Sequence, residues 1–322
     1  MMPVKGLQKG VFLDRMTVDA QDLDFAQLDA VLGFEYFPLT GTDQLLERLQ
    51  QADVAITNKT LLDAEALRAS RLKLVCVAAT GTNNVDLQTA EQLGIAVCNV
   101  RAYATASVVQ HVFALLLNLQ TRLQDIDRAV REGLWSRSPY FCLLDFPVNE
   151  LAGQTLGIVG YGELGQGVAR IAEAFGMRVM IARRDAHDDR PGRFDLHEML
   201  PQVDVLSLHC PLTETTRGLI GRKELALMKQ SAFLINTARG AIIDQAALLD
   251  ALDNHQIAAA GIDVLDPEPP PADHPLLIAQ PKNLLITPHV AWASRQARQR
   301  VIDEIALNMA AFMRGEERNR VV

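Results

Sequence analysis

Short apolar runs alternate with amphipathic stretches along most of the chain. In the first third, residues 53–57 and 72–78 have the length and apolar content of buried strands, and the segment between them has apolar residues at helical spacing. The same alternation returns from residue 155 onward and continues to a last helix near the end of the chain. Strands that alternate with helices pair in parallel, so the pattern predicts an α/β fold.

One predicted helix lacks a polar face. Residues 108–119 are nearly all apolar, and Thr105 and Ser107 just ahead of them are candidate N-caps. A helix that is apolar all round is expected to be buried. The run is too short to cross a bilayer and contains polar residues, so we expect no membrane span.

Composition narrows the class of protein. A chain of 322 residues, 49% of them hydrophobic, is long enough for two domains with separate cores. The net charge is −8 and basic residues do not cluster with aromatic ones, so nucleic acid is not an expected partner. The four cysteines form no C-x-x-C pair, which indicates neither a metal site nor a disulfide framework. Reduced thiols and the lack of a signal-like N-terminus favour a cytoplasmic protein.

A glycine pattern lies between an apolar run at 156–159 and a helical pattern at 164–175. In a strand–turn–helix context, Gly160 makes the tight turn, Gly162 admits a pyrophosphate and Gly165 lets the helix pack on the strand. The helix N-terminus offers unpaired N–H groups and the positive end of its dipole. The sequence therefore predicts a dinucleotide site, against the alternative of a glycine-rich turn without a ligand.

Two arginines bear on the identity of the cofactor. Arg183 and Arg184 follow the second strand of the unit, 178–182, where sites for NAD usually carry Asp or Glu. A guanidinium cannot accept a hydrogen bond from the ribose, but it pairs with the 2′-phosphate of NADP. We expect NADP or NAD, with NADP favoured by Arg183. The alternative is that both arginines are solvated surface residues.

Three polar residues fall at or just past the ends of later strands. Arg239 offers a planar fork for a carboxylate, and His289 exchanges a proton near neutral pH. Glu268 would hold the imidazole in one tautomer. Together they suit the reduction of a 2-oxo acid, although each one also has a structural explanation as a surface or core residue. Loop 78–86, which follows a strand of the first domain, is either a carboxylate site or an ordinary turn.

Five motifs carry a resemblance to a known family, and they are GIVGYGELG, HCPLTETTRGLIG, INTARGAIID, GIDVLDPEPPP and TPHVAWAS. Over nearly its whole length the chain resembles the D-isomer-specific 2-hydroxyacid dehydrogenases. The run WSRSPYFCLLDFP and Trp292 are most similar to the glycerate dehydrogenase, or hydroxypyruvate reductase, group of that family.

The resemblance implies an α/β architecture of two doubly wound parallel-sheet domains. A Rossmann dinucleotide-binding domain at 104–292 is inserted into a flavodoxin-like substrate domain formed by 1–103 and 293–322. The implied reaction is the reduction of hydroxypyruvate or glyoxylate to D-glycerate or glycolate with NAD(P)H. Homodimers built through the dinucleotide domain are implied as well.

The resemblance also implies a role for individual residues. Arg239 would bind the substrate carboxylate and polarise the ketone, His289 would be the acid/base, and Glu268 would pair with it. The implied substrate-binding residues are Ala79, Thr80, Gly81, Arg239 and Trp292. The implied cofactor contacts are Gly160, Gly162, Glu163, Leu164, Gly165, Arg183, Arg184, Cys210, Pro211, Thr216, Thr237, Ala238 and Asp263, the last through the nicotinamide carboxamide.

Two positions depart from the family pattern. Arg183 replaces the acidic residue of NAD-preferring members, and Glu163 stands where many members place Arg beside the pyrophosphate. A carboxylate at that place should weaken phosphate binding unless it turns to solvent. Two alternatives stay open, a dinucleotide-sensing corepressor-like binding protein and a formate or phosphite dehydrogenase-like enzyme. Formate dehydrogenases carry Gln where Glu268 stands, which argues against that version.

Overall fold

The structure is a computed structural model that describes residues 7–185 and 187–322, and these residues separate into two units. In chain order, the strands are β1 (Gly10–Phe12), β2 (Phe34–Tyr36), β3 (Val54–Thr57), β4 (Leu74–Val77), β5 (Ala96–Cys98), β6 (Thr155–Val159), β7 (Arg178–Ala182), β8 (Arg193–Phe194), β9 (Val205–Leu208), β10 (Phe233–Asn236), β11 (Ala259–Ile262) and β12 (Leu284–Ile286). The helices are α1 (Ala26–Asp29), α2 (Thr42–Gln50), α3 (Ala64–Arg68), α4 (Leu87–Leu93), α5 (Thr105–Thr121), α6 (Leu123–Arg131), α7 (Glu163–Ala174), α8 (Leu196–Met199), α9 (Arg222–Leu227), α10 (Gln245–Asp253), α11 (Pro275–Ala279) and α12 (Arg295–Arg314).

Unit 1 consists of the described residues up to Ala104 together with Ala293–Val322. Its sheet has the strand order β2-β1-β3-β4-β5, which is the flavodoxin-like order, and every pair is parallel. Every residue of β3 and β4 is buried, as expected for a parallel sheet covered on both faces, and this explains their uninterrupted apolar runs. Helix α12 is fixed to this unit by Arg298, which donates to both carboxylate oxygens of Asp22 at 2.7 and 2.8 Å.

Unit 2 consists of Thr105–Trp292. Its strand order is β12-β11-β10-β9-β6-β7-β8, again with every pair parallel. This is the Rossmann order with one added strand, and the topological switch point lies between β6 and β9. Fully buried side chains such as Leu206, Leu234 and Leu248 form its core. The predicted fold class of two doubly wound parallel sheets is confirmed.

Helix α5 is less buried than its sequence predicts. Val112, Leu115 and Leu116 are buried where the helix packs on β10, β11 and α7. The side chains of Gln110 and Ala114, however, are exposed, and the expectation of a helix buried on all sides is wrong. The outer faces of α5 and α7 line a largely apolar surface hollow of about 700 Å³.

A buried carboxylate lies at the start of β3, the central strand of the unit 1 sheet. Asp53, just before β3, accepts hydrogen bonds from the backbone N–H groups of Gln8 and Lys9 at 2.8 and 3.3 Å and from Arg71 Nη2 at 2.8 Å. Burial alone would raise the pKa of this carboxyl group, but the hydrogen bond from Arg71 and those from the backbone outweigh burial and lower the pKa to about 2. Asp53 is therefore ionised at neutral pH.

Replacing Asp53 by Asn should lower the free energy of unfolding at pH 7 by about 1–3 kcal/mol, because buried donors lose a charged acceptor. The folded pKa lies below that of an unfolded Asp, about 3.9. The carboxylate therefore stabilises the fold fully above about pH 4, and this stabilisation is lost as the pH falls through about 2. Urea denaturation of both proteins should show the difference shrinking over that range. Glu47→Gln, which removes an exposed carboxylate of the same unit, is the control, and equal stability of the two variants at pH 7 would contradict the prediction.

Candidate active site

The loop between β6 and α7 has the shape that a pyrophosphate needs. Gly160 has a φ of +94°, and a Cβ there would lie 2.5 Å from the backbone nitrogen of Cys210. A Cβ on Gly165 would lie 2.2 Å from the carbonyl oxygen of Gly160. Gly162 is the N-cap of α7 and has open space where a Cβ would be. The N-terminus of α7 is thus accessible to an anion, and a dinucleotide fits the residues present.

Glu163, the first residue of α7, has a partner on a neighbouring helix. Its carboxylate accepts a hydrogen bond from the hydroxyl of Thr105, the first residue of α5. The negative charge therefore lies at the N-termini of two helices, where both dipoles favour it. From the sequence, this carboxylate was expected either to turn to solvent or to weaken phosphate binding. The hydrogen bond to Thr105 was not predicted. Leu164 follows in the same turn and is half-buried.

The two arginines after β7 differ in their partners. Arg184 pairs through Nε with Asp185 at 3.0 Å, and its backbone N–H donates to Asp188. Asp188 also binds Arg190 at 2.6 and 2.7 Å, and these hydrogen bonds hold the pKa of its carboxyl well below the usual range. The exposed side chain of Arg183 has no hydrogen bond or ion pair with any residue that the structure describes. Its guanidinium is therefore available to a further anion.

The predicted contacts after β9 lie in a tight loop. Cys210 is buried, and burial raises the pKa of its thiol to about 11, so the sulfur is uncharged at neutral pH. Pro211 is exposed, and its carbonyl oxygen accepts a hydrogen bond from the hydroxyl of Thr216 at 2.7 Å. The roles of these three residues toward adenosine stay predictions.

The segment after β10 carries an orphan polar atom. Thr237 is buried, and its hydroxyl oxygen has no hydrogen-bond partner in the described part of the chain. Buried polar atoms are nearly always paired, so an orphan at a strand end fits contact with a ligand. The backbone of Ala238 is fixed by its N–H group, which donates to Asn236 Oδ1 at 2.9 Å.

Arg239 is held through its backbone while its side chain is exposed. The amide nitrogen of Asn236 donates to the Arg239 carbonyl oxygen at 2.9 Å. A Cβ on the next residue, Gly240, would lie 2.1 Å from the carbonyl carbon of Leu265, so the chain turns in direct contact with that segment. The guanidinium donates from Nη1 to the carbonyl of Ala238 at 2.7 Å and has no carboxylate partner among the described residues. Its remaining N–H groups are available to a substrate carboxylate.

His289 and Glu268 form a hydrogen-bonded pair. His289 Nδ1 lies 2.6 Å from Glu268 Oε2, and Glu268 Oε1 accepts from the backbone N–H of Leu265 at 2.9 Å. Because the carboxylate accepts the proton on Nδ1, the other ring nitrogen, Nε2, is left for a substrate. Both side chains are about one-third exposed, so the pair is within reach of a small molecule.

Asp263, at the end of β11, supports the turn that carries His289. Oδ1 accepts from Thr287 Oγ1 at 2.5 Å and from the Val290 N–H at 2.9 Å, and Oδ2 accepts from the Ala291 N–H at 2.8 Å. Burial raises the pKa of this carboxyl, but the surrounding donors lower it more strongly, so the group is ionised. The predicted bond to a nicotinamide carboxamide stays a prediction.

The predicted carboxylate loop belongs to unit 1. Thr80 Oγ1 donates to the Val100 carbonyl at 2.8 Å, and the Val100 N–H donates to the Ala79 carbonyl at 3.0 Å. These bonds hold the loop beside the segment after β5, and Gly81 follows with partial exposure. Trp292, the last residue of unit 2, is half-buried. The proposed substrate contacts of these residues stay predictions.

His111 and Thr287 lie next to Asp263, and neither was predicted as a site residue from the sequence. His111 Nε2 on α5 lies 2.9 Å from Thr287 Oγ1 and 3.4 Å from Asp263 Oδ1. The available signal was a titratable residue inside an otherwise apolar helix. Nothing in the sequence pattern identified its partners.

Residues 7–185 and 187–322 contain neither a metal-binding cluster nor a helix suited to crossing a membrane. No group of three or more His, Cys, Asp or Glu side chains is arranged there to hold a metal ion. In the same residues no helix has both the length and the apolar character that a membrane crossing requires. The four cysteines are free thiols.

The chain is similar to known proteins over nearly its full length. Residues 113–291 match the sequence profile of the D-isomer specific 2-hydroxyacid dehydrogenase, NAD binding domain. The chain is 43% identical over 316 residues to the glycerate dehydrogenase of Methylorubrum extorquens, a match that covers 98% of this chain and 99% of that protein. It is 38% identical over 321 residues to the hydroxypyruvate reductase of Blautia hydrogenotrophica, with coverage of 97% and 99%.

A solved structure shares the fold. It is the NADPH-dependent glyoxylate/hydroxypyruvate reductase of Sinorhizobium meliloti in complex with NADP and malonate, with a TM-score of 0.77 and 26% sequence identity over 95% of this chain and 94% of that one. The parallel sheets and the glycine loop agree with these matches. The chain therefore belongs to the D-isomer specific 2-hydroxyacid dehydrogenase family.

Proposed function

We propose that the protein reduces hydroxypyruvate and glyoxylate with NAD(P)H, forming D-glycerate and glycolate. The observation that carries the proposal is the His289–Glu268 pair, whose free ring nitrogen is suited to proton transfer. Family membership supplies the reaction class, and the two relatives named as glycerate dehydrogenase and hydroxypyruvate reductase support this pair of substrates.

The residues divide the chemistry of carbonyl reduction between them. The nicotinamide cofactor, when bound, supplies the hydride that C2 of the oxo acid takes up. His289 gives the carbonyl oxygen a proton from Nε2, so that hydride and proton together convert the ketone or aldehyde to an alcohol. Glu268 stabilises the imidazolium and fixes its orientation. Arg239 pairs with the substrate carboxylate and withdraws electron density from the carbonyl.

NADPH is the coenzyme that we propose the protein prefers. Arg183 is the arginine after β7 without a partner among the described residues, whereas Arg184 is bound to Asp185. A free guanidinium at this place suits a 2′-phosphate. The Sinorhizobium meliloti reductase, whose structure contains NADP, gives further support.

We also propose a homodimer built through unit 2. The hollow between α5 and α7 is largely apolar and open. In the segment that follows α6, Tyr140, Phe141 and Leu144 are 75%, 91% and 87% exposed. Large apolar patches of this kind on soluble proteins mark interfaces. A second copy of the chain is the expected occupant of this surface.

We propose a cytoplasmic location for the protein, because its four cysteines are free thiols.

The alternative of a dinucleotide-sensing binding protein is not favoured by the relatives, which are named as dehydrogenases and reductases. A protein of that kind would bind the dinucleotide without consuming it. Catalytic turnover of a 2-oxo acid therefore separates the two functions.

Initial rates should be measured with hydroxypyruvate, glyoxylate and pyruvate, each with NADH and with NADPH. We expect the highest kcat/KM for hydroxypyruvate or glyoxylate with NADPH, because Arg183 adds an ion pair to the phosphate. Arg183→Asp should reverse the coenzyme preference by raising KM for NADPH at least about tenfold, since it replaces attraction by repulsion. Arg178→Asp, at an exposed position at the start of β7, is the control. The absence of turnover with all three acids would refute the proposed function.

His289→Ala should lower kcat by about 10²- to 10⁴-fold, because the reaction loses its positioned acid. Dinucleotide affinity, measured by quenching of protein fluorescence, should be kept. His197→Ala removes another imidazole that is bound to a glutamate, with 2.8 Å between His197 Nε2 and Glu224 Oε1, and should leave kcat unchanged. A kcat of His289→Ala within about threefold of the original protein would argue against the assignment.

Sedimentation equilibrium should give the mass of two chains for the original protein. Phe141→Asp should shift the equilibrium toward one chain, because a charge replaces an apolar side chain that a partner is expected to cover. Leu39→Asp, at a residue of unit 1 that is 63% exposed, should leave the dimer intact. A single-chain mass for the original protein would disprove the proposed assembly.

A further inference from the structure

His111 makes a polar contact in the middle of an apolar helix. Its side chain is 20% exposed, and Nε2 faces Thr287 Oγ1 at 2.9 Å and Asp263 Oδ1 at 3.4 Å. A half-buried imidazole in such a helix has no part in core packing that an aliphatic side chain would not serve equally well. Its polar contacts, however, are Thr287, which begins the turn that carries His289, and Asp263, which supports that turn.

The direction of each hydrogen bond in this group follows from the charge of Asp263. The carboxylate is ionised and only accepts, so the Thr287 hydroxyl gives its single proton to Oδ1 at 2.5 Å. The Thr287 oxygen then has only lone pairs left to offer. His111 Nε2 must therefore carry a proton and donate it to Thr287. The two hydrogen bonds therefore run from His111 to Thr287 and from Thr287 to Asp263. A side chain at position 111 that has no donor removes the first of them.

The turn from Thr287 to Ala291 holds His289 in a strained backbone conformation. His289 has a φ of +55°, a region that residues other than glycine seldom occupy. Its N–H group donates to the Asp263 carbonyl at 2.7 Å and to the Thr287 carbonyl at 3.0 Å. Such a conformation persists only where the surroundings over-determine it.

Helix α5 forms a hydrogen bond with each end of this turn. His111 holds Thr287 at the start, and Ser107 Oγ donates to the Ala291 carbonyl at 2.7 Å at the end. Ser107 and His111 are four residues apart and share one face of the helix. The backbone on either side of His289 is thus fixed to a rigid element through these two side chains.

We propose that His111 is a positioning residue for proton transfer, which anchors the 287–291 turn through Thr287 so that His289 Nε2 stays in one place. The proposal rests on the assignment of His289 under the proposed function. His111 itself touches neither substrate nor cofactor in this proposal.

Paired variants separate the hydrogen bond from simple packing. His111→Leu and Thr287→Val remove the bond, whereas His111→Gln keeps a donor and Thr287→Ser keeps the hydroxyl. We expect both bond-removing variants to lower kcat for hydroxypyruvate about tenfold, with KM and the Kd for NADPH changed less than about twofold. The two conservative variants should retain at least about half of the original kcat.

Thr287→Val also removes the bond from Thr287 to Asp263 and should be the slower of the two single variants. The double variant His111→Leu/Thr287→Val should be no slower than Thr287→Val, because that change already breaks the bond to His111. His197→Leu is the matched control for the loss of a bonded imidazole elsewhere and should keep full activity. An unchanged kcat in His111→Leu, a multiplicative loss in the double variant, or an equal loss in His111→Gln and His111→Leu would each overturn the proposal.

A second readout does not depend on turnover. In cofactor-free protein with nitrogen-15-labelled histidine, Nδ1 of His289, observed through the carbon-bound ring protons that do not exchange with water, gives a resonance that His289→Ala identifies by its absence. We expect this resonance to broaden or shift in His111→Leu and to stay in place in His111→Gln and His197→Leu. If the original protein reduces no 2-oxo acid, the proposed function fails, and the resonance alone decides whether His111 positions the ring. An unchanged resonance in His111→Leu overturns the inference.

Discussion

The buried carboxylate of Asp263 is the interaction on which the turn that carries His289 depends. A charge with almost no exposure is stable only when donors surround it, and here the donors are a hydroxyl and two backbone N–H groups, with the His111 imidazole 3.4 Å away. Satisfying this one anion forces the chain after β12 into a tight turn. The unusual backbone conformation of His289 follows from that turn. The position of His289, the acid/base candidate, is thus set by the hydrogen bonds between Asp263 and the neighbouring residues of the turn.

The parallel sheet supplies the rest of the geometry. Parallel strands send their carboxyl ends to one edge, so residues after β6, β10 and β11 lie at the same edge although long segments of sequence separate them. At that edge the glycine loop exposes the N-terminus of α7, and Arg239 presents its guanidinium after β10. A guanidinium, an exposed helix N-terminus and the acid/base candidate therefore come from separate strand ends of one parallel sheet.

The sequence predicts best what is local. The strand, glycine loop and helix around Gly160 form one continuous segment, and apolar runs with glycine spacing describe it almost completely. Strand ends were also predictable, because apolar runs show where strands stop. The contact between His111 and Thr287 joins residues 176 positions apart, and that between Thr105 and Glu163 spans 58, so no periodicity points to either. The sequence did not predict that one face of α5 is exposed. An apolar helix has the same pattern whether its own domain covers it or, as we propose here, a partner chain does.

The tie between Glu163 and Thr105 has a consequence for coenzyme engineering. Helix α5 contacts α7 so closely that a Cβ on Gly167 would lie 2.7 Å from a methyl carbon of Val109. The cofactor loop is therefore not an independent module that can be exchanged by itself. A loop grafted from a family member with arginine at position 163 would leave the Thr105 hydroxyl without its acceptor and bring a cation to two helix N-termini. Positions 105 and 163 therefore have to be replaced together.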